Sequence, residues 1–207
     1  MRLDGGTGRH LVVFARAPRL GAVKRRLAAD IGAVEALAFY RASLARLLRR
    51  VGRDRRWRTW LAVTPDASAE VGRWPDAERL GIALLAQGGG DIGDRMGRAF
   101  TSLPPGAVVI VGSDVPAVDA GHIGAAFEAL RGHDVAFGPA CDGGYWLVGA
   151  RGGARRPGLF DNVRWSSEHA LADTLANLPA HARQARLETL EDVDDGPAFR
   201  RWREGQR

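Results

Sequence analysis

One acidic residue of the sequence, Asp114, stands where a carboxylate needs a charged partner. It lies in Gly112–Pro116, which reads GSDVP, directly after the most apolar segment, Val108–Val111. Such a segment predicts a buried strand, and a carboxylate at its end is costly to desolvate unless a cation compensates it. Mg²⁺ and Mn²⁺ bind one or two carboxylates together with phosphate oxygens, so Asp114 is a candidate ligand for a cation that bridges to a diphosphate. The alternative is an aspartate that closes a turn or caps a helix.

A second acidic residue, Asp142, lies in the segment Gly138–Trp146, which reads GPACDGGYW. The adjacent Gly143 and Gly144 permit backbone conformations that other residues avoid, and they let a ligand approach the main chain. Asp142 is therefore a candidate second metal ligand or an acceptor for a sugar hydroxyl. An Asp-Gly pair before a strand is also a common turn signal. Cys141 is interpreted as a small hydrophobic residue of this loop.

A basic loop, Phe14–Leu27, follows the first apolar segment and contains Lys24, the only lysine of the chain. A strand, a loop with Pro and Gly, and a helix start bring backbone N–H groups and cations together, which favours phosphate binding. The spacing is not that of a P-loop, GxxxxGK[ST]. The alternative is a basic helix turn exposed to solvent.

The glycine-rich segment Gly88–Gly93 formally satisfies GxGxxG, the dinucleotide-binding fingerprint. Asp91 and Asp94 argue against that function because their negative charges crowd the helix start where a pyrophosphate must lie. We expect this loop to approach a nucleotide base or ribose through its backbone instead, with Gln87 as a hydrogen-bonding group.

Basic residues exceed acidic ones by 30 to 24, which gives a net charge of +6 and suits an anionic partner. Seven arginines fall within Arg46–Arg58, beside Trp57 and Trp60, so an RNA-binding surface is one alternative. A solvated helix end explains the same run without nucleic acid, and we expect no nucleic-acid partner. None of the five histidines has the spacing of metal ligands.

Apolar segments alternate with segments of helical period, which is typical of an α/β domain. We predict a single domain over residues 1–207, with a mixed, mostly parallel sheet and helices on both faces. The predicted strands are 11–15, 60–63, 82–85, 108–111, 135–137, 145–148 and 185–187. The predicted helices are one with apolar positions Val34, Leu37, Leu44, Leu48 and Val51, and others at 93–103, 119–130 and 166–178. Ligands of such sheets bind beyond the carboxyl ends of the strands, where the segments described above lie.

The overall composition, 45% hydrophobic and 26% charged, excludes wholesale disorder. Cys141 is the only cysteine, which excludes an intrachain disulfide and fits a reducing compartment. The sequence contains no secretory signal and no apolar segment long enough to span a bilayer. We therefore expect a cytoplasmic protein.

Taken together, these segments resemble a largely uncharacterised bacterial family of nucleotide-diphospho-sugar transferases with a GT-A-like fold, the arsenosugar-biosynthesis-type glycosyltransferases. The resemblance runs in order over nearly the whole chain. The family's patterns FxKxPxxGxxKTRL, QGxGDLGxRM, GSDxP, GPAxDGGYxLxG, WST and LxDVD are similar to residues 14–27, 87–96, 112–116, 138–149, 165–167 and 190–194.

The resemblance implies a metal-dependent glycosyltransferase that uses a nucleotide-sugar donor and an unidentified small-molecule acceptor. Asp114, with Asp142, would hold Mg²⁺ or Mn²⁺. The residues that would bind the nucleotide are Arg16, Lys24, Arg26, Gln87 and Gly88, and those that would face the sugar or the acceptor are Gly143, Gly144, Trp165 and Ser166.

Three positions depart from the family patterns. Arg16 replaces the first lysine, Arg25 the threonine of the basic loop, and Ser167 the threonine of WST. Arginine still binds phosphate, but Arg25 has no hydroxyl. Related guanylyltransferases of molybdenum-cofactor and phospholactate metabolism share the fold and the basic loop, so a nucleotidyltransferase that uses a nucleoside triphosphate and releases pyrophosphate is the enzymatic alternative. A non-catalytic nucleotide or RNA binder is the alternative of another class.

Overall fold

The computed structural model describes residues 8–153 and 158–206. The strands are β1 (Gly8–Arg16), β2 (Arg58–Thr64), β3 (Ala83–Ala86), β4 (Gly106–Val111), β5 (Val135–Pro139), β6 (Tyr145–Ala150) and β7 (Gln184–Arg186). The helices are α1 (Arg25–Ile31), α2 (Ala33–Val51), α3 (Ala67–Glu70), α4 (Pro75–Leu80), α5 (Ile92–Ser102), α6 (Ala120–Gly132), α7 (Ala170–Ala176) and α8 (Gly196–Glu204), with a 3₁₀ turn at Arg151–Gly153.

The strands of the described residues form one seven-stranded sheet in the order β3-β2-β1-β4-β6-β5-β7. All neighbouring pairs are parallel except those that β6 makes with β4 and β5. The prediction of a mixed, mostly parallel sheet is therefore confirmed. The carboxyl ends of β1 and β4 lie side by side, since Val13 pairs with Val111, and this places the loops that follow them next to each other.

The central strands are buried on both faces, as their continuous apolar segments predict. Along β1, Leu11 and Val13 pack in one apolar cluster with α2 and α6, while Val12 and Phe14 pack in a second cluster with α5 and α7. This alternation follows from the two-residue period of a strand. Helices therefore cover both faces, as predicted.

Several helices differ from the prediction. The helix predicted at 166–178 begins only at Ala170, because residues 165–169 form turns and a bend and Ser166 has a positive φ of 57°. Val34 is 74% exposed and does not belong to the buried face of α2. Helices α3, α4 and α8 were not predicted, and α8 packs Phe199 against Phe39 of α2 and Leu27 of α1 in a third cluster.

Two further observations concern the chain as a whole. No helix among the described residues has both the length and the apolar character that crossing a bilayer requires. Residues 154–157, in the Arg/Gly segment that follows β6, lie outside the described residues.

Candidate functional site

An open cavity of about 600 Å³ lies at the carboxyl ends of β1 and β4. We call it the Lys24 cavity. Three of the four predicted loops line it, namely those after β1, β3 and β4. Its polar or charged lining residues are Arg16, Lys24, Arg25, Arg26, Tyr40, Thr64, Gln87, Arg95, Ser113, Asp114, Ser166 and Asp194. The position agrees with the general location of ligands in open α/β sheets.

Lys24 lies at the centre of this cavity and is held by two carboxylates. Its Nζ is 2.6 Å from Oδ1 of Asp194 and 3.3 Å from Oδ2 of Asp114, and its side chain is only 5% exposed. Burial opposes the lysine charge, but the two aspartates outweigh burial and raise the pKa of Lys24 above its ordinary value. Lys24 therefore stays protonated and ready to bind an anion. Its backbone is left-handed, with φ of 48°, immediately before α1.

Asp194 connects Lys24 to a second predicted phosphate ligand, Arg26. The Arg26 guanidinium donates to Oδ2 of Asp194 at 2.7 Å, and its side chain is 75% exposed. Burial raises the pKa of the Asp194 carboxyl, but the charges of Lys24 and Arg26 outweigh burial and lower it overall. The structure thus brings Lys24 and Arg26 together, and Arg16 lines the same cavity.

Tyr40 of α2 fixes the ends of both central strands. Its hydroxyl accepts a hydrogen bond from the Arg16 N–H at 2.8 Å and donates one to the Arg16 carbonyl at 2.9 Å. The Ser113 hydroxyl lies 3.4 Å from the Tyr40 oxygen and 3.4 Å from Oδ1 of Asp114. Burial raises the pKa of Tyr40 to about 12, so the phenol remains a neutral donor. Tyr40 thereby connects the loop that carries Arg16 to the loop that carries Asp114.

A smaller cavity of about 240 Å³ adjoins the first, on the side of α5 and α7. We call it the Tyr145 cavity. The residues that line both cavities are Phe14, Ile92, Gly112, Asp114 and Ser166. Asp142 and Asp192 line the Tyr145 cavity together with Asp114. Burial, with the charges of Asp194 and Asp142, raises the pKa of Asp192 to about 6.

The loop that carries Asp142 is a tight turn between β5 and β6. Oδ1 of Asp142 accepts a hydrogen bond from the Gly144 N–H at 2.9 Å, so one carboxylate oxygen closes the turn, as the alternative interpretation of this residue expected. Gly143 has φ of 84°, and a Cβ there would lie 2.2 Å from the carbonyl oxygen of Glu168. The segment that approaches the Gly143 backbone closely is therefore the neighbouring loop that contains Glu168. Cys141 is exposed, which corrects its interpretation as a packed hydrophobic residue.

Gln87 and Gly88 follow β3, and much of their hydrogen bonding is internal. The Gln87 side-chain NH₂ donates to the carbonyls of Ala15 and Ala62, and the Gly88 N–H donates to Oδ1 of Asp66 at 2.9 Å. Gly88 has φ of 80°, and a Cβ there would meet the guanidinium of Arg98. Gln87 still lines the Lys24 cavity, whereas Gly88 is not among its lining residues. The Gln87 NH₂ group joins β1 and β2.

The two acidic residues of the glycine-rich loop form a capping box at the start of α5. The Asp94 N–H donates to Asp91, and the Asp91 N–H donates to Asp94. These carboxylates occupy the helix N-terminus where a dinucleotide-binding fold holds pyrophosphate. The structure therefore agrees with rejecting the fingerprint.

Trp165 and Ser166 both line the Tyr145 cavity. The Trp165 indole N–H donates to Asp91 at 3.2 Å, which fixes the ring against the start of α5. Ser166, with its left-handed backbone, lines both cavities. Among the described residues only Lys24, Asn162 and Ser166 combine a positive φ with a side chain, and two of the three line the Lys24 cavity.

Most of the arginine run is occupied by internal contacts. Arg50 donates to the carbonyls of Pro116 and Val118, and Arg56 pairs with Asp54 and lies over the Trp57 ring. Trp57 and Trp60 are buried and cannot stack on bases.

The carboxylate oxygens of the site suit a hard cation whose remaining coordination positions are filled by substrate phosphates. Asp114 and Asp142 line one cavity and are joined there by Asp192. The described residues contain no set of three His, Cys, Asp or Glu side chains already arranged around one metal position. Mg²⁺ keeps few protein ligands and takes the rest from water and phosphate, so a site of one or two carboxylates is a sufficient fit.

Three residues of this site were not predicted from the sequence: Tyr40, Asp192 and Asp194. Both aspartates belong to the LxDVD segment, so the resemblance marked the segment without giving it a role. In the sequence, Tyr40 is one more position of the α2 helical pattern. Its contact with Arg16 depends on how α2 packs against the sheet.

Residues 47–167 match the model of a family described as "Uncharacterized protein conserved in bacteria (DUF2064)". The match covers more than half of the 207 residues. The chain belongs to this family. No protein with a curated description matches the sequence. The matched part of this DUF2064 chain includes Gln87, Asp114, Asp142 and Trp165, but not the basic loop or Asp194.

Solved structures show which fold this DUF2064 chain has. A "putative nucleotide-diphospho-sugar transferase" from Desulfovibrio desulfuricans G20 is 28% identical, with a TM-score of 0.77 over 90% of this chain and 82% of that one. A 4-diphosphocytidyl-2C-methyl-D-erythritol synthase from Anaerococcus prevotii is 10% identical, with a TM-score of 0.64 over 98% and 100%. A glucosyl-3-phosphoglycerate synthase from Mycobacterium tuberculosis, in complex with Mn²⁺ and UDP, is 13% identical, with a TM-score of 0.52 over 90% and 71%. The GT-A-like fold and the family resemblance inferred from the motifs are confirmed.

Proposed function

We propose that this chain is a metal-dependent transferase that uses a nucleotide-activated sugar as donor. The observation that carries the proposal is the position of Lys24, whose Nζ lies 3.3 Å from Asp114, in a cavity at the carboxyl ends of β1 and β4. A protonated amine beside a strand-end carboxylate is suited to a diphosphate that a divalent cation bridges. The similarity to nucleotide-using enzymes of the same fold supports this proposal.

Each side chain has a defined task in this proposal. Lys24 and Arg26, with Arg16, bind the phosphate oxygens, and Gln87 faces the base or ribose, whereas the Gly88 N–H is already bonded to Asp66. Asp114 holds Mg²⁺ or Mn²⁺, with Asp142 or Asp192 as second carboxylate. When bound, the cation neutralises the diphosphate and stabilises the leaving group.

The hydrogen-bond partners of Lys24 change when the donor binds. In the structure, Asp194 accepts hydrogen bonds from Lys24 and Arg26, so each of these two cations has a partner. A diphosphate that enters the cavity competes with Asp194 for the same N–H donors. Bound phosphate therefore takes over hydrogen bonds that already exist, and little new ordering of these side chains is required.

The remaining candidates act around the other cavity. Asp142, Gly143 and Gly144 form the turn beside the transferred sugar, and Trp165 and Ser166 line the acceptor side. Because the turn is held by its own Asp142–Gly144 hydrogen bond, the second oxygen of Asp142 is the one that can face a ligand.

Nucleotidyl transfer remains the second candidate, because cytidylyltransferases share the fold. The two reactions release different products. Glycosyl transfer releases a nucleoside diphosphate, whereas nucleotidyl transfer from a nucleoside triphosphate releases pyrophosphate. Product analysis by ³¹P NMR separates them: we expect nucleoside diphosphate, and pyrophosphate would overturn the glycosyltransferase proposal.

The test of the site is the variant Asp114→Asn, which keeps the size of the side chain. We expect loss of turnover with an unchanged melting temperature, because the Asp114 side chain is 45% exposed and its side-chain contacts among the described residues are the Lys24 pair and the Ser113 hydroxyl at 3.4 Å. Unchanged turnover would exclude Asp114 as the ligand of the cation.

A further inference from the structure

The Tyr145 cavity differs from the Lys24 cavity in the nature of its floor. The side chains of its floor belong to the apolar cluster that β1, β4 and β6 form with α5 and α7. They are Phe14, Met96, Ile110, Tyr145, Val148 and Trp165. The rings of Tyr145 and Trp165 make an edge contact at an interplanar angle of 71°, with centroids 6.4 Å apart, so two aromatic rings line this cavity. At about 240 Å³ the space is below the ~300–1,000 Å³ of drug-sized pockets, and it suits a group of single-ring size.

The charges of the two cavities have opposite signs. The Lys24 cavity is lined by five cationic residues: Arg16, Lys24, Arg25, Arg26 and Arg95. The Tyr145 cavity is lined by three carboxylates, those of Asp114, Asp142 and Asp192, and none of its lining residues in the described ranges is Lys, Arg or His. The Lys24 cavity also contains the carboxylates of Asp114 and Asp194, so its cations are in excess by five to two. Asp114 is the only charged residue that lines both cavities, so the sign of the net charge changes at their junction.

This difference restricts what the Tyr145 cavity can bind. Ionised carboxylates accept hydrogen bonds and donate none, so a ligand beside Asp142 must donate, as hydroxyl and amino groups do. A phosphate or carboxylate group in the same place would face like charges over an apolar floor, with no cation in the lining to offset its desolvation. A divalent cation that Asp114 would hold with one of the other two carboxylates does not reverse this, because three carboxylates and the donor's diphosphate carry more negative charge than one such cation offsets.

We infer that the Tyr145 cavity binds the acceptor substrate, as a ring of single-sugar size that bears hydroxyl or amino groups and no anionic group. The inference rests on the proposed function, which places the donor's diphosphate in the Lys24 cavity and the reacting atoms at Asp114, where the cavities meet. The acceptor then enters from the far side of Asp114. The cavity excludes phosphorylated and carboxylic acceptors, whichever nucleotide the donor carries.

A matched series of sugars tests the charge preference on the full chain: glucosamine, glucose and glucose 6-phosphate share one ring and differ in charge. Binding is measured by saturation-transfer difference NMR, with and without Mg²⁺ and a nucleoside diphosphate. That nucleotide is the one among UDP, GDP, ADP and CDP that gives the largest Mg²⁺-dependent rise in Tm. Because it carries no sugar, no transfer takes place during the titration and every sugar signal comes from the added series.

We expect glucosamine and glucose to bind, and glucose 6-phosphate to bind at least tenfold more weakly than glucosamine. Asp142→Asn keeps the hydrogen bond to Gly144 and removes the charge, so it should reduce the preference for glucosamine over glucose. Asp142→Lys should improve binding of glucose 6-phosphate. The control Asp76→Asn, on α4 and outside both cavities, should leave the order unchanged.

Two results would overturn the inference: equal or tighter binding of glucose 6-phosphate, or binding of none of the three sugars. A nucleotide that fails to bind overturns the proposed function instead. Because the sugars are also titrated alone, the two failures can be distinguished. An unchanged sugar preference in both Asp142 variants would show that the cavity charge does not select the ligand.

Discussion

Lys24 Nζ and Asp194 Oδ1 lie 2.6 Å apart although 170 residues separate them in the chain. The contact joins the loop after β1 to the segment before α8, and Val193 donates a backbone hydrogen bond to the Asp114 carbonyl beside it. The C-terminal segment therefore completes the Lys24 cavity. The contribution of this ion pair to the stability of the protein can be measured separately from any ligand.

Asp194→Asn removes a charge that Lys24 and Arg26 share. We expect it to lower the free energy of unfolding by about 1–3 kcal/mol, the typical range for a lost hydrogen bond to a charged group. The matched control is Asp76→Asn, whose partners Arg49 and Arg79 are more than half exposed, and it should cost less than about 1 kcal/mol. Urea unfolding measures both. Equal losses would show that the Lys24 pair is an ordinary surface contact.

Tyr40→Phe removes a hydroxyl that bonds both backbone groups of Arg16. We expect a loss of about 1–3 kcal/mol, because the Arg16 N–H and carbonyl lose their partner, together with weaker binding of the Mg²⁺ nucleotide. Tyr145→Phe is the control, since the Tyr145 hydroxyl contacts only Thr174, at 3.4 Å, among the described residues. If both variants behave alike, Tyr40 does not position the site.

Gly143→Ala should distort the turn between β5 and β6. Position 143 combines a positive φ with a backbone contact to Glu168, so a methyl group must displace the loop that carries Trp165 and Ser166. We expect a lower Tm and reduced turnover. Gly89→Ala is the control, because Gly89 has no neighbour within 4 Å of a Cβ and no positive φ. Wild-type turnover in Gly143→Ala would contradict the coupling between these two loops.

His10 should make stability depend on pH. Burial and the charge of Arg58 hold its pKa below the ordinary 6.5, and its Nδ1 accepts a hydrogen bond from the Trp60 indole. Below pH 6.5 the unfolded chain binds this proton before the folded protein does, so stability from His10 is complete above pH 6.5 and falls as the pH drops toward the folded pKa.

His10→Asn keeps an acceptor near the Trp60 indole and removes the titration. Its free energy of unfolding should fall less than that of the wild type between pH 6.5 and 5. Asp192, whose pKa is raised to about 6, acts with the opposite sign but is present in both proteins, so the difference isolates His10. Parallel pH profiles would contradict a lowered pKa.

Local patterns predicted much of this fold and the place of the site. The apolar segments at 11–15 and 108–111 are strands, and the loops after them bring Lys24 to Asp114, as ligand sites at carboxyl strand ends require. Contacts that depend on packing between distant segments could not be predicted. The pairing of Lys24 with Asp194 needs the C-terminal segment to return to α1, and no periodicity encodes that.

The same limit applies within single segments. Residues 166–169 have a composition compatible with a helix, yet the backbone contact at Gly143 and the left-handed Ser166 delay its start to Ala170. Gln87 was expected to offer a hydrogen bond to a base, and packing takes its NH₂ group for the carbonyls of Ala15 and Ala62. In both cases tertiary contacts that the local sequence does not encode decide the detail.

The central claim is that Asp114 and Lys24 hold a nucleotide together with a divalent cation. The most direct measurement is the Tm of wild type and Asp114→Asn with UDP, GDP, ADP, CDP, their sugars and the triphosphates, with and without Mg²⁺ or Mn²⁺. A ligand that binds only the folded state raises Tm; at a hundred times Kd the gain is about 2.7 kcal/mol. We predict a metal-dependent rise for one nucleotide sugar in the wild type and none in Asp114→Asn. No shift with any nucleotide, or an equal shift in the variant, would contradict the account.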